Sequence, residues 1–281
     1  MNHGTAVQRE VEADFAAADD LLAAAERGVL DKLGALRFMP SGRIGPLAEM
    51  LMAKKVWPSE MRDVSFSMPF ARAIGRAIHR LKISGTGYQS RAGVFPLALL
   101  VSDQTDTSQW ELWCMRAEQA AVAISFPKAL ASAMIGAMIE LQENVHLHSG
   151  KPDTGFVAYA ASNTHFEVVV ADSGIGVLAS LRENNEHGGL KDAGAALRVA
   201  ISDGNSRLGC EGGHGYGMGQ MFRALANYDG ELRFRSDDYA LIVRGHSPSL
   251  SGSVELRHKA SLPGLTISVR CPAPQSVSQG L

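Results

Sequence analysis

A glutamate and an asparagine stand one helical turn apart in a segment that is largely apolar. Residues 127 to 148 have the apolar spacing of a long helix, on which Glu140 and Asn144 share a stripe with Ala133 and Ala137. Such polar groups need partners when they are buried. A hydrated Mg²⁺ and a triphosphate would supply them, with the asparagine as a metal ligand and the glutamate as a base for water. A solvent-facing strip on a partly covered helix is the alternative interpretation.

Two glycine-rich segments follow this helix. In the first, an apolar strand runs into Asp172, Gly174 and Gly176 in D-x-G-x-G spacing. An aspartate at a strand end can accept a hydrogen bond from an exocyclic amine such as that of adenine, and the glycines allow the backbone to pack closely against the base. The second segment precedes a predicted helix, so its backbone N–H groups could bind phosphate. Its residues are Gly213, Gly215, Gly217, Met218 and Gly219.

The first glycine segment also fits a different nucleotide motif. Residues 174–179 match the G-x-G-x-x-A variant of a dinucleotide fingerprint, with Asp203 in the ribose-binding position. That interpretation leaves Glu140, Asn144 and Asp172 without a role. A Walker A loop is absent, because Pro152 follows Gly150 and Lys151.

The combination resembles the GHKL superfamily of ATPases, the gyrase, heat-shock chaperone, histidine kinase and MutL group with the Bergerat ATP-binding fold. The resemblance covers about residues 120–272 and rests on the order of the three motifs. It implies that Asn144 coordinates Mg²⁺, that Asp172 reads adenine and that residues 215–219 close a lid over the phosphates. The resemblance also implies Thr266 beside the adenine, although Leu265 separates it from Gly264. Arg207, within the expected lid, would contact phosphate; the alternative is an ordinary solvated arginine.

The resemblance implies three possible functions. The first is a Mg²⁺-dependent ATP-binding switch with slow hydrolysis, in which Glu140 activates water and lid closure signals to a protein partner or to a second copy in a homodimer. The second is an anti-sigma-type protein serine kinase that uses Glu140 on a partner's serine. The third is a non-catalytic module that only senses ATP. A sensor histidine kinase is disfavoured, because His79 is followed by neither an acid nor a proline in the expected positions.

The elements that must position these residues form an α+β protein. We expect a C-terminal two-layer α/β sandwich with a mixed sheet covered by helices, and a smaller N-terminal α/β unit. The predicted divisions are an N-terminal helix over 1–34, an α/β regulatory or dimerisation domain over 35–110 that faintly resembles STAS modules, an ATP-binding domain over 111–272 and a flexible tail over 273–281. Local patterns predict a helix over 7–33, a strand over 94–101, and two hairpins over 232–244 and 254–269.

Composition excludes several classes of protein. The 281 residues carry 27 Lys and Arg against 29 Asp and Glu, so there is no basic surface for nucleic acid, and no apolar run is long enough for a membrane span. The absence of a leader pattern predicts a cytoplasmic protein. The three cysteines show no paired spacing and are expected to be free thiols. Twelve of the 29 glycines lie between Asp172 and Gly219, which concentrates the expected function there.

Overall fold

A computed structural model describes residues 8–79, 91–101, 107–201, 229–245 and 254–273. Its strands are β1 (Arg9–Glu12), β2 (Leu36–Met39), β3 (Val64–Phe66), β4 (Ala92–Pro96), β5 (Phe156–Ala161), β6 (His165–Asp172), β7 (Glu231–Arg244) and β8 (Val254–Pro272). Its helices are α1 (Phe15–Glu26), α2 (Gly45–Val56), α3 (Pro69–Ile78), α4 (Ser108–Val122), α5 (Lys128–His148), α6 (Gly176–Arg182) and α7 (Ala193–Ile201).

The strands form two sheets of different character. In the smaller sheet β1, β2 and β3 are parallel, and Phe38 of β2 pairs with both Val11 and Phe66. The larger sheet has the order β4-β5-β6-β8-β7, and all its pairs within the described ranges are antiparallel. The expected α+β class, a sheet covered by helices, is therefore confirmed. The strand β4, which the sequence analysis assigned to the unit 35–110, pairs with β5 of the larger sheet, and the domain limits themselves stay a prediction.

Helices cover both faces of the larger sheet. Because successive side chains of a strand point to opposite faces, Val168 and Val170 of β6 lie in one core with α4, α5 and α7. Val169 and Ala171 lie in a second core with α1, α2 and α3. Within the described ranges the larger sheet is therefore packed between helices on both faces, with the N-terminal helices on the face opposite α5.

The second face of the sheet also carries buried polar side chains. The carboxylate of Glu167 accepts hydrogen bonds from the backbone N–H groups of Ile44 and Gly45, both at 2.9 Å, and from the Ser268 hydroxyl at 2.8 Å. A side chain of β6 therefore caps the N-terminus of α2, whose first N–H groups have no partner within the helix. The Ser41 hydroxyl, just before this helix, donates to the carbonyl oxygen of Ala13 and does not cap α2.

The two predicted hairpins were wrong, because β7 and β8 are each one long strand and pair with one another. The register moves from Leu265 opposite Ser236 to Leu262 opposite Asp237. The residues predicted to form the two turns therefore form a bulge within the paired strands. The positive φ of Asp237, 51°, belongs to this bulge. Local turn residues predicted chain reversals, but the two segments stay extended because they pair with each other along their length.

Two further local predictions were also wrong. The helix expected over 7–33 is divided into β1, α1 and a short 3₁₀ turn at Leu30–Leu33. Asp14 caps α1 by accepting a hydrogen bond from Ala17 N at 2.8 Å, and pairing with β2 makes the preceding residues extended. The strand expected over 94–101 ends at Pro96 and continues as a 3₁₀ turn at Leu97–Leu100. No helix in the described ranges has the length and apolarity that a membrane crossing requires.

Candidate functional site

Asp172 is the last residue of β6 and lies deep in the protein. Only 2% of it is exposed, and Leu265 of β8 lies opposite it in the register. Its Oδ1 accepts a hydrogen bond of 2.7 Å from Gly174 N. The pKa of this carboxyl is raised to about 6. Burial is the main cause and the negative charge of Asp237 adds to it, while the hydrogen bond from Gly174 N partly offsets both. The site therefore contains a buried acceptor that is costly to ionise without a ligand.

The loop that follows Asp172 is fixed to the end of α5. The backbone N–H of Ile175 donates to Ser149 O at 2.8 Å, and that of Ser173 donates to the Thr154 hydroxyl at 3.0 Å. A Cβ atom on Gly174 would overlap the carbonyl oxygen of Ser149. Glycine is thus required at this position for contact between loop and helix, whereas the sequence analysis had assigned it to contact with a base.

The helix α5 presents the other two predicted polar residues. Its buried side packs into the first core, and its exposed side carries Asn144, while Glu140 is half-buried. At a rise of about 1.5 Å per residue, Asn144 lies about 7.5 Å along the axis from Ser149, where the Asp172 loop is attached. Glu140 lies one further turn back. The Asp172 loop is thus attached to the C-terminal end of the helix that carries Glu140 and Asn144, and Asn144 is exposed to solvent.

Thr266 does not join this group. It pairs with Ala171 of β6, so its side chain points to the sheet face opposite that of Asp172 and Val170. Its hydroxyl lies 3.4 Å from the sulfur of Met52 in α2. The structure therefore assigns Thr266 to the contact between the sheet and the N-terminal helices.

The second glycine segment and the predicted phosphate contact lie outside the described residues. These positions are Arg207, Gly213, Gly215, Gly217, Met218 and Gly219. Their roles stay predictions.

Asp237 lies within the segment 232–244 that was predicted as a hairpin, and the structure brings it to the site. A Cβ atom on Gly176, whose φ is +76°, would approach the Asp237 carboxylate oxygen to 2.7 Å. Burial raises the pKa of Asp237 to about 6, and the neighbouring charge of Asp238 contributes to this rise. No sequence pattern identified Asp237, because its position depends on the β7 and β8 register.

Ser236 ties the same region together. Its hydroxyl accepts a hydrogen bond from Val177 N at 3.0 Å and donates one to Gly264 O at 2.9 Å. The start of α6, the bulge of β7 and the bulge of β8 are therefore linked through one buried side chain. This contact holds the second glycine of the D-x-G-x-G segment in place.

The residues present are compatible with Mg²⁺ held mainly by a nucleotide. Within the described ranges no cluster of three or more His, Cys, Asp or Glu side chains could hold a metal by itself. Mg²⁺ commonly takes one or two protein oxygens together with phosphate oxygens and water, and the Asn144 amide oxygen fits that role. The two described cysteines, Cys114 and Cys271, are buried free thiols, as expected, and Cys210 lies outside the described residues.

Comparison with known proteins identified no relative. No family model matches the chain, and neither a curated protein nor a solved structure matches it.

Proposed function

We propose that this protein binds ATP with Mg²⁺ beside the end of α5, hydrolyses it slowly and uses the cycle as a switch towards a protein partner. The observation that carries the proposal is the buried carboxylate of Asp172, on a loop fixed to the helix that presents Glu140 and Asn144. The GHKL-like order of the motifs in the sequence suggests the same roles for these residues.

The hydrogen bonding of Asp172 favours a ligand with an N–H donor. Among the described residues its carboxylate accepts a single hydrogen bond, from Gly174 N to Oδ1. The other oxygen has acceptor capacity that an exocyclic amine would use. Because the group is nearly inaccessible to bulk water, such a bond would form in a low-dielectric environment, where hydrogen bonds are stronger. Adenine binding would therefore favour the ionised form of Asp172.

Asn144 and Glu140 supply the roles that the phosphate end requires. The exposed amide oxygen of Asn144 would help to hold Mg²⁺, which when bound offsets phosphate charge. The half-buried carboxylate of Glu140, one turn earlier, would accept a proton from the attacking water. Both side chains project from a rigid 21-residue helix, which suits a site that must hold its groups in fixed positions.

A route from the site to the N-terminal helices supports the switch. Strand β7 carries Asp237 beside the site, and two residues earlier it carries Arg235, which is buried against α1 and α2. Its guanidinium lies 3.2 Å from both Asp19 and Glu49, and Arg233 donates to Glu49 at 2.7 Å. A shift of this strand on nucleotide binding would therefore strain a buried ion cluster on the opposite face.

A calorimetric titration of ATP with Mg²⁺ tests the binding site. We expect Asp172→Asn to weaken binding by about tenfold or more, because it replaces one acceptor oxygen with an N–H donor. We expect Asn144→Ala to abolish the part of the affinity that depends on Mg²⁺. Asn163→Ala, at an exposed position in the β5–β6 turn, is the matched control. Unchanged affinity in both site variants would refute the assignment.

Phosphate release separates binding from chemistry. Glu140→Ala should retain ATP binding and lose hydrolysis, whereas Glu143→Ala, an exposed neighbour on the same helix, should retain both. Label transferred from ATP to a serine of an added partner protein, without free phosphate, would instead identify a kinase. Binding with neither product would identify a sensing module without chemistry.

A further inference from the structure

The helix α4 carries three large apolar side chains on the side that faces away from the protein core. Its inward side packs into the first core through Trp110, Trp113, Cys114, Ala117, Ala120 and Ala121. On the outward side, Leu112, Met115 and Val122 are 45%, 57% and 43% exposed. A helix that covers a sheet normally presents polar residues to solvent. An outward ridge of large apolar side chains instead indicates a surface that is covered by another protein.

The ridge has the spacing of a coiled-coil seam. Leu112, Met115, Gln119 and Val122 are separated by three, four and three residues, which places them at a, d, a and d of two heptads. Glutamine at the second a position resembles the polar a-position residues that specify register in such seams. The pattern therefore predicts a partner helix rather than a flat apolar surface.

The charges beside the seam select the partner and its direction. Glu111 and Glu118 occupy g positions, and Arg116 occupies an e position. In a parallel pair a g residue faces the e residue five positions later on the other helix, so Glu111 would face Arg116 of a second copy, twice by symmetry. In an antiparallel pair the g positions face one another, which would bring the two glutamates of each helix together. Charge complementarity thus favours a second copy of α4 in parallel orientation.

We propose that the protein forms a homodimer through α4, with the two-fold axis parallel to this helix and the Leu112, Met115, Gln119 and Val122 seam at its centre. Within each protomer, α4 is also tied to α5, because Glu118 Oε1 accepts a hydrogen bond of 2.8 Å from the Ser132 hydroxyl. The seam spans only a 15-residue helix, so the interface is small and the dimer dissociates on dilution. The interface consists of α4 side chains, so the Asp172 loop of each protomer takes no part in it.

Sedimentation equilibrium over a wide concentration range tests the proposal on the full chain. We expect a monomer–dimer equilibrium, and Met115→Glu should raise its dissociation constant by about tenfold or more, because it places like charges opposite one another in the seam. Leu33→Glu, at a position 47% exposed outside α4, is the matched control and should leave the equilibrium unchanged. Far-UV circular dichroism checks that each variant is folded.

Charge reversal tests the orientation. Glu111→Arg and Arg116→Glu should each weaken the dimer by about fivefold, and the double variant should restore it, because the two pairs are then exchanged. In a Cys210→Ser background, a parallel dimer predicts that Leu112→Cys and Val122→Cys each cross-link with themselves on oxidation.

Three results would overturn the proposal. The first is a monomer at all concentrations, which would leave the ridge to another protein. The second is a dimer that Met115→Glu does not weaken, which would place the interface elsewhere. The third is cross-linking only in a mixture of the Leu112→Cys and Val122→Cys variants, which would identify an antiparallel pair.

Discussion

Replacing Asp172 by asparagine should change stability and binding in opposite directions at neutral pH. The pKa of Asp172 rises from its ordinary 3.8 to about 6 on folding, so the folded chain holds this proton more tightly than the unfolded chain. Stability therefore falls as the pH rises from about 4 to about 6. Above that range the ionised, buried group costs about 3 kcal/mol, because one unit of pKa corresponds to about 1.4 kcal/mol.

The asparagine side chain of the Asp172→Asn variant is neutral at every pH, so the variant escapes this cost. Its amide oxygen can still accept the hydrogen bond from Gly174 N, but its amide N–H group is buried and costs about 1 kcal/mol or more. We therefore expect the variant to be more stable than the parent by about 1–2 kcal/mol at about pH 8, and less stable by about 1 kcal/mol at about pH 4. The difference between the two pH values is the specific signature, because the constant amide term cancels from it.

Urea unfolding at the two pH values measures this difference, with the fluorescence of Trp110 and Trp113 in the first core as the signal. Asp31→Asn, at an exposed position, is the control for loss of one negative charge. A stability difference between Asp172→Asn and the parent that does not change with pH would refute the reasoning. An Asp172→Asn variant that is more stable and binds ATP as well as the parent would also refute it. The costly buried carboxylate would then make no contribution to ATP binding.

Three further substitutions test the packing at the Asp172 loop and on the opposite face of the sheet. Glu49→Gln leaves two buried arginines undercompensated and should lower the free energy of unfolding by about 3 kcal/mol or more, measured by urea titration. Gly174→Ala forces the loop away from the end of α5, so it should cost about 2–3 kcal/mol and weaken ATP binding in the same calorimetric assay. Glu167→Gln removes the charged cap of α2 and should cost about 1–2 kcal/mol, measured by thermal unfolding.

Each of these has a control or a contradicting result. Gly136→Ala changes a glycine of α5 that has nothing within 4 Å of an added Cβ, so it should stabilise the chain by about 0.5–1 kcal/mol. A stability loss there as large as that of Gly174→Ala would contradict the contact argument. A neutral Glu49→Gln would show that water reaches the ion cluster. Equal stability of Glu167→Gln and the parent would mean that a neutral amide caps α2 as well as the carboxylate does.

The sequence alone predicted the elements whose signals are local. The long helix over 127–148 was predicted from its apolar period and is confirmed as α5. Asp172 was correctly placed at the end of β6, because an apolar run that meets D-x-G-x-G marks a strand end by local chemistry alone. The α+β class followed from the same patterns.

What the sequence could not predict depends on contacts between distant segments. The bulge that brings Asp237 beside Gly176 results from the register of two long strands, and the turn residues within them suggested two hairpins instead. The direction of the Thr266 side chain follows from strand alternation relative to Asp172, which only the pairing reveals.

The sequence by itself thus determined the helix and the strand end that carry Glu140, Asn144 and Asp172, because period, glycine spacing and polarity act over a few residues. Only the tertiary structure decided which side chains from distant segments come into contact. The capping of α2 by Glu167 and the ion cluster of Arg233 form between segments more than 100 residues apart. Burial makes such groups costly without partners, and the partners are chosen by the packing of the layers, which no local pattern specifies.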